Sequence, residues 1–186
     1  MKSLHLVLTI LALGPICSVG TAQKKLLHLH SHTQPAKEQV VFSAEDQGVQ
    51  EPIGLPEDLK PVLAKDEYVQ SLLDEKKLTV QKLPVNWFSV AGVHLGGHKD
   101  YDLVVVGQGP LRGANATTFW VFCPTTGGWQ QALKVSTHTL LLKDAHTRGL
   151  REIEAESASA AEVFRVMFRY DGLQYKSYKT VSEPIK

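Results

Sequence analysis

The chain of 186 residues carries 20 Lys and Arg against 19 Asp and Glu, with no basic block interleaved with aromatic residues. This balance excludes the concentrated basic surface on which nucleic-acid binding depends. The length suits one domain, which can bury a hydrophobic core without disulfide support.

The first 22 residues have the organisation of an export signal. Lys2 supplies a positive n-region, an apolar run follows at residues 4–13, and small residues lead to Ala22. The apolar run is shorter than the roughly 20 residues that a membrane-spanning helix needs, and we expect no membrane-spanning segment after it. We therefore expect a signal peptide at residues 1–22 and a periplasmic or secreted protein. Removal of the signal peptide would leave Cys123 as the only thiol. The simplest interpretation of Cys123 is a buried, unreactive side chain.

Residues 23–55 are polar, contain two prolines and lack a steady period, which is typical of a flexible linker. From residue 56 the pattern changes. Acidic residues follow Pro56, and Val62, Leu63, Val69 and Leu73 share one helical face. We predict a short amphipathic helix over 56–78 that covers part of a sheet, at the start of a single β-rich domain over 56–186.

From Pro84 onward the alternation is that of strands, separated by glycine turns such as Gly127-Gly128 and Asp171-Gly172. Because the connections are too short for crossover helices, the order should be antiparallel. We predict a mainly β fold, an antiparallel β-meander in a sandwich or propeller-like sheet with one short N-terminal helix. The predicted strands are 87–95, 102–107, 117–123, 129–135, 138–143, 150–155, 162–170 and 173–178.

Two of these strands, around residues 103–106 and 119–122, are apolar on both faces, which indicates central strands covered on both sides. In the strand 162–170, aromatic and β-branched residues alternate with Arg165 and Arg169. The predicted core therefore includes Phe119, Val121, Phe164, Val166 and Phe168.

A faint internal repeat aligns residues 93–106 with residues 141–155. The stretch DLVVVGQGPLRGANATTFWVFCPTTGGW resembles a segment of short exported bacterial proteins of unassigned activity, and locally it is similar to repeat units of the FG-GAP or VCBS type. The resemblance covers about residues 90–175 and implies a β fold and an exported protein. In such repeats a D-x-D-x-D-G loop binds calcium. Here the corresponding loop keeps only Asp100 and Asp102, whereas calcium takes 6–8 oxygen ligands.

Two loops and two histidine sets are candidate sites. The glycine-rich loop at 107–115 would present Arg112 and Asn115 to a partner, or would be only a wide turn. His28, His30 and His32 alternate, so in an extended chain they could converge on a metal ion, although solvent-exposed histidines are the simpler interpretation. Surface exposure is also the simpler interpretation of four further histidines, although some would meet if the two repeat units pair. These are His94, His98, His138 and His146.

No catalytic or cofactor motif is present, so we expect no cofactor. The leading hypothesis is an exported, non-enzymatic binding domain of the bacterial cell envelope, with an envelope protein or glycan as its partner. One alternative is an envelope hydrolase or carbohydrate-active protein that uses the alternating carboxylates Glu152, Glu154 and Glu156. That row is also typical of an edge strand protected by charge. A second alternative is a metal-handling protein that uses the N-terminal histidines.

Overall fold

The structure, a computed structural model, describes residues 38–45 and 48–185. The expected signal peptide lies outside the described residues. Within them the chain forms two helices and nine strands. The helices are α1 (Lys60–Leu63) and α2 (Glu67–Glu75); the strands are β1 (Val41–Ser43), β2 (Phe88–Val93), β3 (Asp102–Gly107), β4 (Thr117–Thr125), β5 (Gly128–Thr137), β6 (Thr139–Thr147), β7 (Leu150–Ala158), β8 (Glu162–Tyr170) and β9 (Tyr175–Pro184).

The strands form two antiparallel sheets. One has the order β2-β3-β4-β5 and the other β1-β6-β7-β8-β9. Except for β1, each sheet is a meander of consecutive strands. The predicted mainly β, antiparallel fold is therefore confirmed. Both β3 and β8 begin and end at the predicted residues, and positive φ angles at Gly128, Gly149 and Gly172 mark three of the predicted turns.

Each face of the four-stranded sheet packs against a different layer. Side chains that alternate along its strands meet the five-stranded sheet on one face and the helical segment 57–83 on the other. As a result, both faces of β3 and β4 are buried, as expected for the two wholly apolar strands. The first core includes Phe42, Val104, Phe119, Val121, Leu140 and Ile153; the second includes Leu59, Leu63, Val69, Leu73, Val105, Trp120 and Phe122.

The segment predicted as one helix is divided in two at Asp66. The backbone of Asp66 is extended (φ −66°, ψ 127°), and its side chain accepts hydrogen bonds from the N–H groups of Tyr68 and Val69. This is N-cap geometry, and it starts a new helix rather than continuing α1.

The predicted linker at 23–55 was too long. Val41–Ser43 forms β1, which pairs with β6 through Val41↔Leu141. Phe42 is fully buried and Val49 is 1% exposed. Residues 38–45 and 48–55 therefore belong to the domain. A three-residue strand is too short to show a period of two, which is why the pattern around it suggested a linker.

The predicted core was right for β4 and partly wrong for β8. Phe119 and Val121 are fully buried, whereas Phe164 is 38% exposed. Phe168 is the cross-strand partner of Ile153 on β7, and its side chain packs on the core from the same face of the sheet. The predicted orientation of β8 is therefore correct, but the core does not extend to Phe164. Alternation assigns a face to each residue, but it does not say how far the opposing sheet extends.

Phe168→Ala should cost about 1.5–3 kcal/mol of unfolding free energy, because it removes a half-buried ring from the core. Phe164→Ala, on the same face of the same strand, should cost no more than about 1 kcal/mol. Urea unfolding of the two variants measures the difference. Equal costs would contradict this description of β8.

Among the described residues, no helix combines the length and the apolar composition needed to cross a membrane.

Candidate functional site

The loop between β3 and β4 is held in place by its own backbone and by a neighbouring helix. A 3₁₀ turn at Gly109–Leu111 opens the loop, and the N–H of Gly113 donates to the carbonyl of Ala116 at 2.8 Å. The hydroxyl of Thr117 donates to the carbonyl of Gly107 at 2.7 Å. The hydroxyl of Tyr68, on α2, donates to the carbonyl of Pro110 at 2.9 Å. The loop is therefore a fixed platform.

Arg112 lies on this platform with an unsatisfied donor. A backbone bridge pairs it with Thr117, and bridged residues share a face. That face of β4 also carries Phe119, which packs against the five-stranded sheet. The Nη2 atom of Arg112 is buried and has no hydrogen-bond partner, and no ion pair involves Arg112 within the described chain. Buried side-chain donors are rarely left without a partner, so this nitrogen requires an explanation.

Asn115, the other candidate residue in this loop, is exposed. Its backbone carbonyl lies 3.3 Å from Nδ1 of His138. His138 is the single residue between β5 and β6, so it lies near this loop and not near the other histidines considered above.

The opposite end of β3 carries Asp102, which is fully buried. Its Oδ2 accepts the N–H of Leu95 at 2.9 Å and lies 3.2 Å from Nε2 of His98. Its Oδ1 has no conventional hydrogen-bond partner, although the Cys123 thiol is a weak donor beside this carboxyl.

Asp100 does not share this environment, because it is exposed at the tip of the loop. No group of three or more His, Cys, Asp and Glu side chains among the described residues is arranged to hold a metal ion.

Burial dominates the electrostatics around Asp102. It raises the pKa of this carboxyl, and the hydrogen bond from Leu95 and the nearby Cys123 and His98 offset the shift only in part. Burial also raises the pKa of Cys123, and the Asp102 carboxylate adds to the shift. A thiol in this position remains protonated at neutral pH, which makes it a poor nucleophile.

The two loops of the internal repeat meet at this end of the domain. Gly96 forms a backbone bridge with Leu150, and the N–H of Arg151 donates to the carbonyl of Leu95 at 2.7 Å. A Cβ at Gly96 would lie 2.9 Å from the carbonyl oxygen of Gly149, so glycine allows the close approach of the two loops.

The glutamate row on β7 is a set of ion pairs. Glu152 pairs with Arg169 at 2.8 Å, and Glu154 pairs with Lys143 at 2.9 Å. Glu156 pairs with Arg165 at 2.7 Å. The edge-strand interpretation of this row is wrong, because β7 lies in the middle of the five-stranded sheet.

The environment of Glu152 favours its charged form. Burial alone would raise the pKa of Glu152, but hydrogen bonds from Thr147, Tyr178 and Arg169 outweigh it and lower the pKa. A general acid in a glycosidase needs a raised carboxyl pKa. The arrangement is therefore that of a structural ion-pair network.

His28, His30 and His32 lie outside the described residues. The partnership of His98 with Asp102 was missed from the sequence, although a histidine four residues before an aspartate in a tight hairpin was a usable signal. Comparisons with protein-family models, curated proteins and solved structures found no match for this chain.

Proposed function

We propose that this protein is an exported, non-enzymatic interaction domain of the bacterial cell envelope, with a binding surface centred on Arg112. The n-region, apolar run and small-residue stretch at the N-terminus support export.

The unpartnered Nη2 of Arg112 carries the proposal. A guanidinium donor that is removed from water and has no acceptor destabilises the folded protein. A carboxylate matches the planar fork of donors on arginine and forms strong charge-assisted hydrogen bonds with it. Because Arg112 as a whole is only half-buried, its guanidinium can turn toward a partner carboxylate at the surface, which would satisfy this nitrogen.

The rigidity of the loop supports the same surface. The contacts of Gly113, Thr117 and Tyr68 hold the loop before any ligand arrives. A preorganised loop loses little conformational entropy on binding.

We favour a protein partner with an accessible carboxylate. Tyr68 lies beside the loop and is 48% exposed, and tyrosine and arginine are among the residue types enriched at the centres of protein interfaces. The nearly balanced overall charge makes this a local attraction rather than a long-range one.

The hydrolase alternative loses support because the glutamates on which it depends are paired with cations. The metal-handling alternative depends on residues outside the described chain.

Arg112→Gln should weaken retention of the purified protein on solubilised envelope protein by about 30-fold, as expected for a central interface arginine. Arg112→Lys should retain only part of the affinity of the unmodified chain, since an ammonium group lacks the planar fork of donors. Lys179→Gln is the matched control, because Lys179 is an exposed cation on β9. Surface plasmon resonance against the fractionated envelope measures all three.

Two outcomes would overturn the proposal. An equal loss of affinity in Arg112→Gln and in the control Lys179→Gln would indicate non-specific charge attraction. Retention on purified peptidoglycan instead of protein, or turnover of ester, peptide or glycan substrates, would place the function in another class.

A further inference from the structure

An exposed valine lies beside the loop that holds Arg112. Val85 is 53% exposed, and it begins a 3₁₀ turn that ends at Trp87. The carbonyl of Trp87 accepts the N–H of Gln108, at the start of the loop, at 2.8 Å. This turn is therefore fixed to the loop, as α2 is through the hydroxyl of Tyr68. Two exposed apolar side chains, one from each element, flank the loop.

The two segments that meet here carry a single charge. Arg112 is the only charged residue in the loop at 107–117, and the segment at 83–88 has none. The residue before Tyr68 is an acid, Glu67, and not a second cation. A lone arginine among aromatic, aliphatic and uncharged residues is typical of the centre of a protein interface, where Lys, Glu and Asp are depleted. A polyanion would instead be matched by several cations.

We propose that the surface centred on Arg112 extends over Tyr68 and Val85, and that it recognises a single glutamate or aspartate side chain flanked by apolar residues on a partner protein. This inference rests on the proposed function and specifies the chemistry of the partner. The carboxylate pairs with Arg112, and its apolar neighbours pack against Tyr68 and Val85.

The two kinds of contact have different roles. An ion pair at a surface adds little free energy on its own, because water and salt screen it. An apolar side chain that becomes half-buried against Tyr68 and Val85 raises the affinity by about fivefold. It also excludes water from the ion pair, which strengthens the attraction between the charges. Arg112 therefore selects for an acid, and the apolar neighbours of that acid increase the affinity.

The test measures the binding of three peptides to the purified protein by ¹⁵N NMR titration. The first carries a glutamate between two leucines, the second has glutamine in place of the glutamate, and the third has serines in place of the leucines. Both ends of each peptide are capped, so no terminal carboxylate competes. The amide of Gly113 and the Nε of Arg112 report binding at the loop. The leucine peptide should bind about fivefold more tightly than the serine peptide, and the glutamine peptide should bind least.

Val85→Ser should remove the preference for leucine over serine but keep the preference for glutamate over glutamine. Val80→Ser is the matched control and should keep both preferences. Val80 is also exposed, at 37%, and it also begins a 3₁₀ turn, which lies against α1. Both variants should fold, since substitutions of exposed side chains usually change stability little.

The possible outcomes separate this inference from the proposed function. Equal affinity for the leucine and serine peptides, with glutamate still preferred, would overturn the inference and leave Arg112 as a carboxylate site. So would a preference for leucine that Val85→Ser leaves unchanged. Equal affinity for the glutamate and glutamine peptides, or no binding of either, would overturn both. Tighter binding of polyphosphate, lost in Arg112→Gln, would overturn the inference by assigning the surface to a polyanion.

Discussion

Asp66→Ala should lower the free energy of unfolding by about 2–4 kcal/mol, the sum of a lost helix cap and a buried donor left without an acceptor. One carboxylate oxygen caps α2 through Tyr68 and Val69. The other accepts the indole N–H of Trp120 at 3.0 Å. Since Trp120 is fully buried, its N–H could not turn to water instead. Urea unfolding measures the loss.

Asp66→Asn divides this effect into its two parts. Asparagine caps a helix as well as aspartate, but its amide would face the N–H of Trp120 and the ammonium of Lys134, which lies 2.6 Å from the native carboxylate. The cost should therefore be smaller than for alanine, and it should shrink further in a Trp120→Phe background. An alanine variant as stable as the unmodified chain would contradict the assigned role.

The pKa of Asp66 is shifted in the opposite direction to that of Asp102. Burial alone would raise the pKa of Asp66, but hydrogen bonds from Lys134 and Trp120 outweigh it and lower the pKa below 3.8. The stability contributed by Asp66 is therefore present above pH 3.8 and is lost as the pH falls through the lower folded value. Because the side chain of Lys134 is 40% exposed, the ion pair itself adds little.

Phe42→Ala should cost about 3–5 kcal/mol of unfolding free energy, because truncation of a buried phenylalanine leaves a cavity in the core. Phe42 is fully buried between the two sheets, whereas its neighbour Val41 is 49% exposed. Val41→Ala should therefore change stability by no more than about 0.5 kcal/mol. Thermal and urea unfolding distinguish the two variants. Similar small costs for both would mean that β1 lies outside the cooperative unit.

Much of the sheet could be predicted from the sequence because strand signals are local. Alternation along β8 and a turn at Gly172 identify a hairpin from adjacent residues alone. The wholly apolar runs around Val105 and Trp120 likewise indicate burial on both faces, which the structure confirms.

The remaining features depend on contacts between distant parts of the chain. Asp66 and Trp120 form a hydrogen bond although they are 54 residues apart in the sequence, and no local sequence pattern predicts that contact. The same limit explains the errors at β1 and Phe164. Burial of β1 depends on its pairing with β6, and exposure of Phe164 depends on how far the opposing sheet extends.

The candidate sites were predictable to a similar degree. Glycines identified the loop that holds Arg112, but the unpartnered nitrogen depends on tertiary packing. Asp102 was chosen as a loop carboxylate, whereas its burial and its partner His98 emerged only from the folded hairpin.

The pairing of β1 with β6 has a consequence for the order in which the chain folds. β2–β5 and β6–β9 are each continuous meanders, whose contacts form between neighbours in the chain. The pairing of Val41 with Leu141 instead closes a loop on the order of 100 residues long. During synthesis β1 leaves the ribosome first but has no partner until β6 follows. A chain that emerges in this order keeps β1 unpaired through most of translation, so the five-stranded sheet stays incomplete until the second half of the domain has been made.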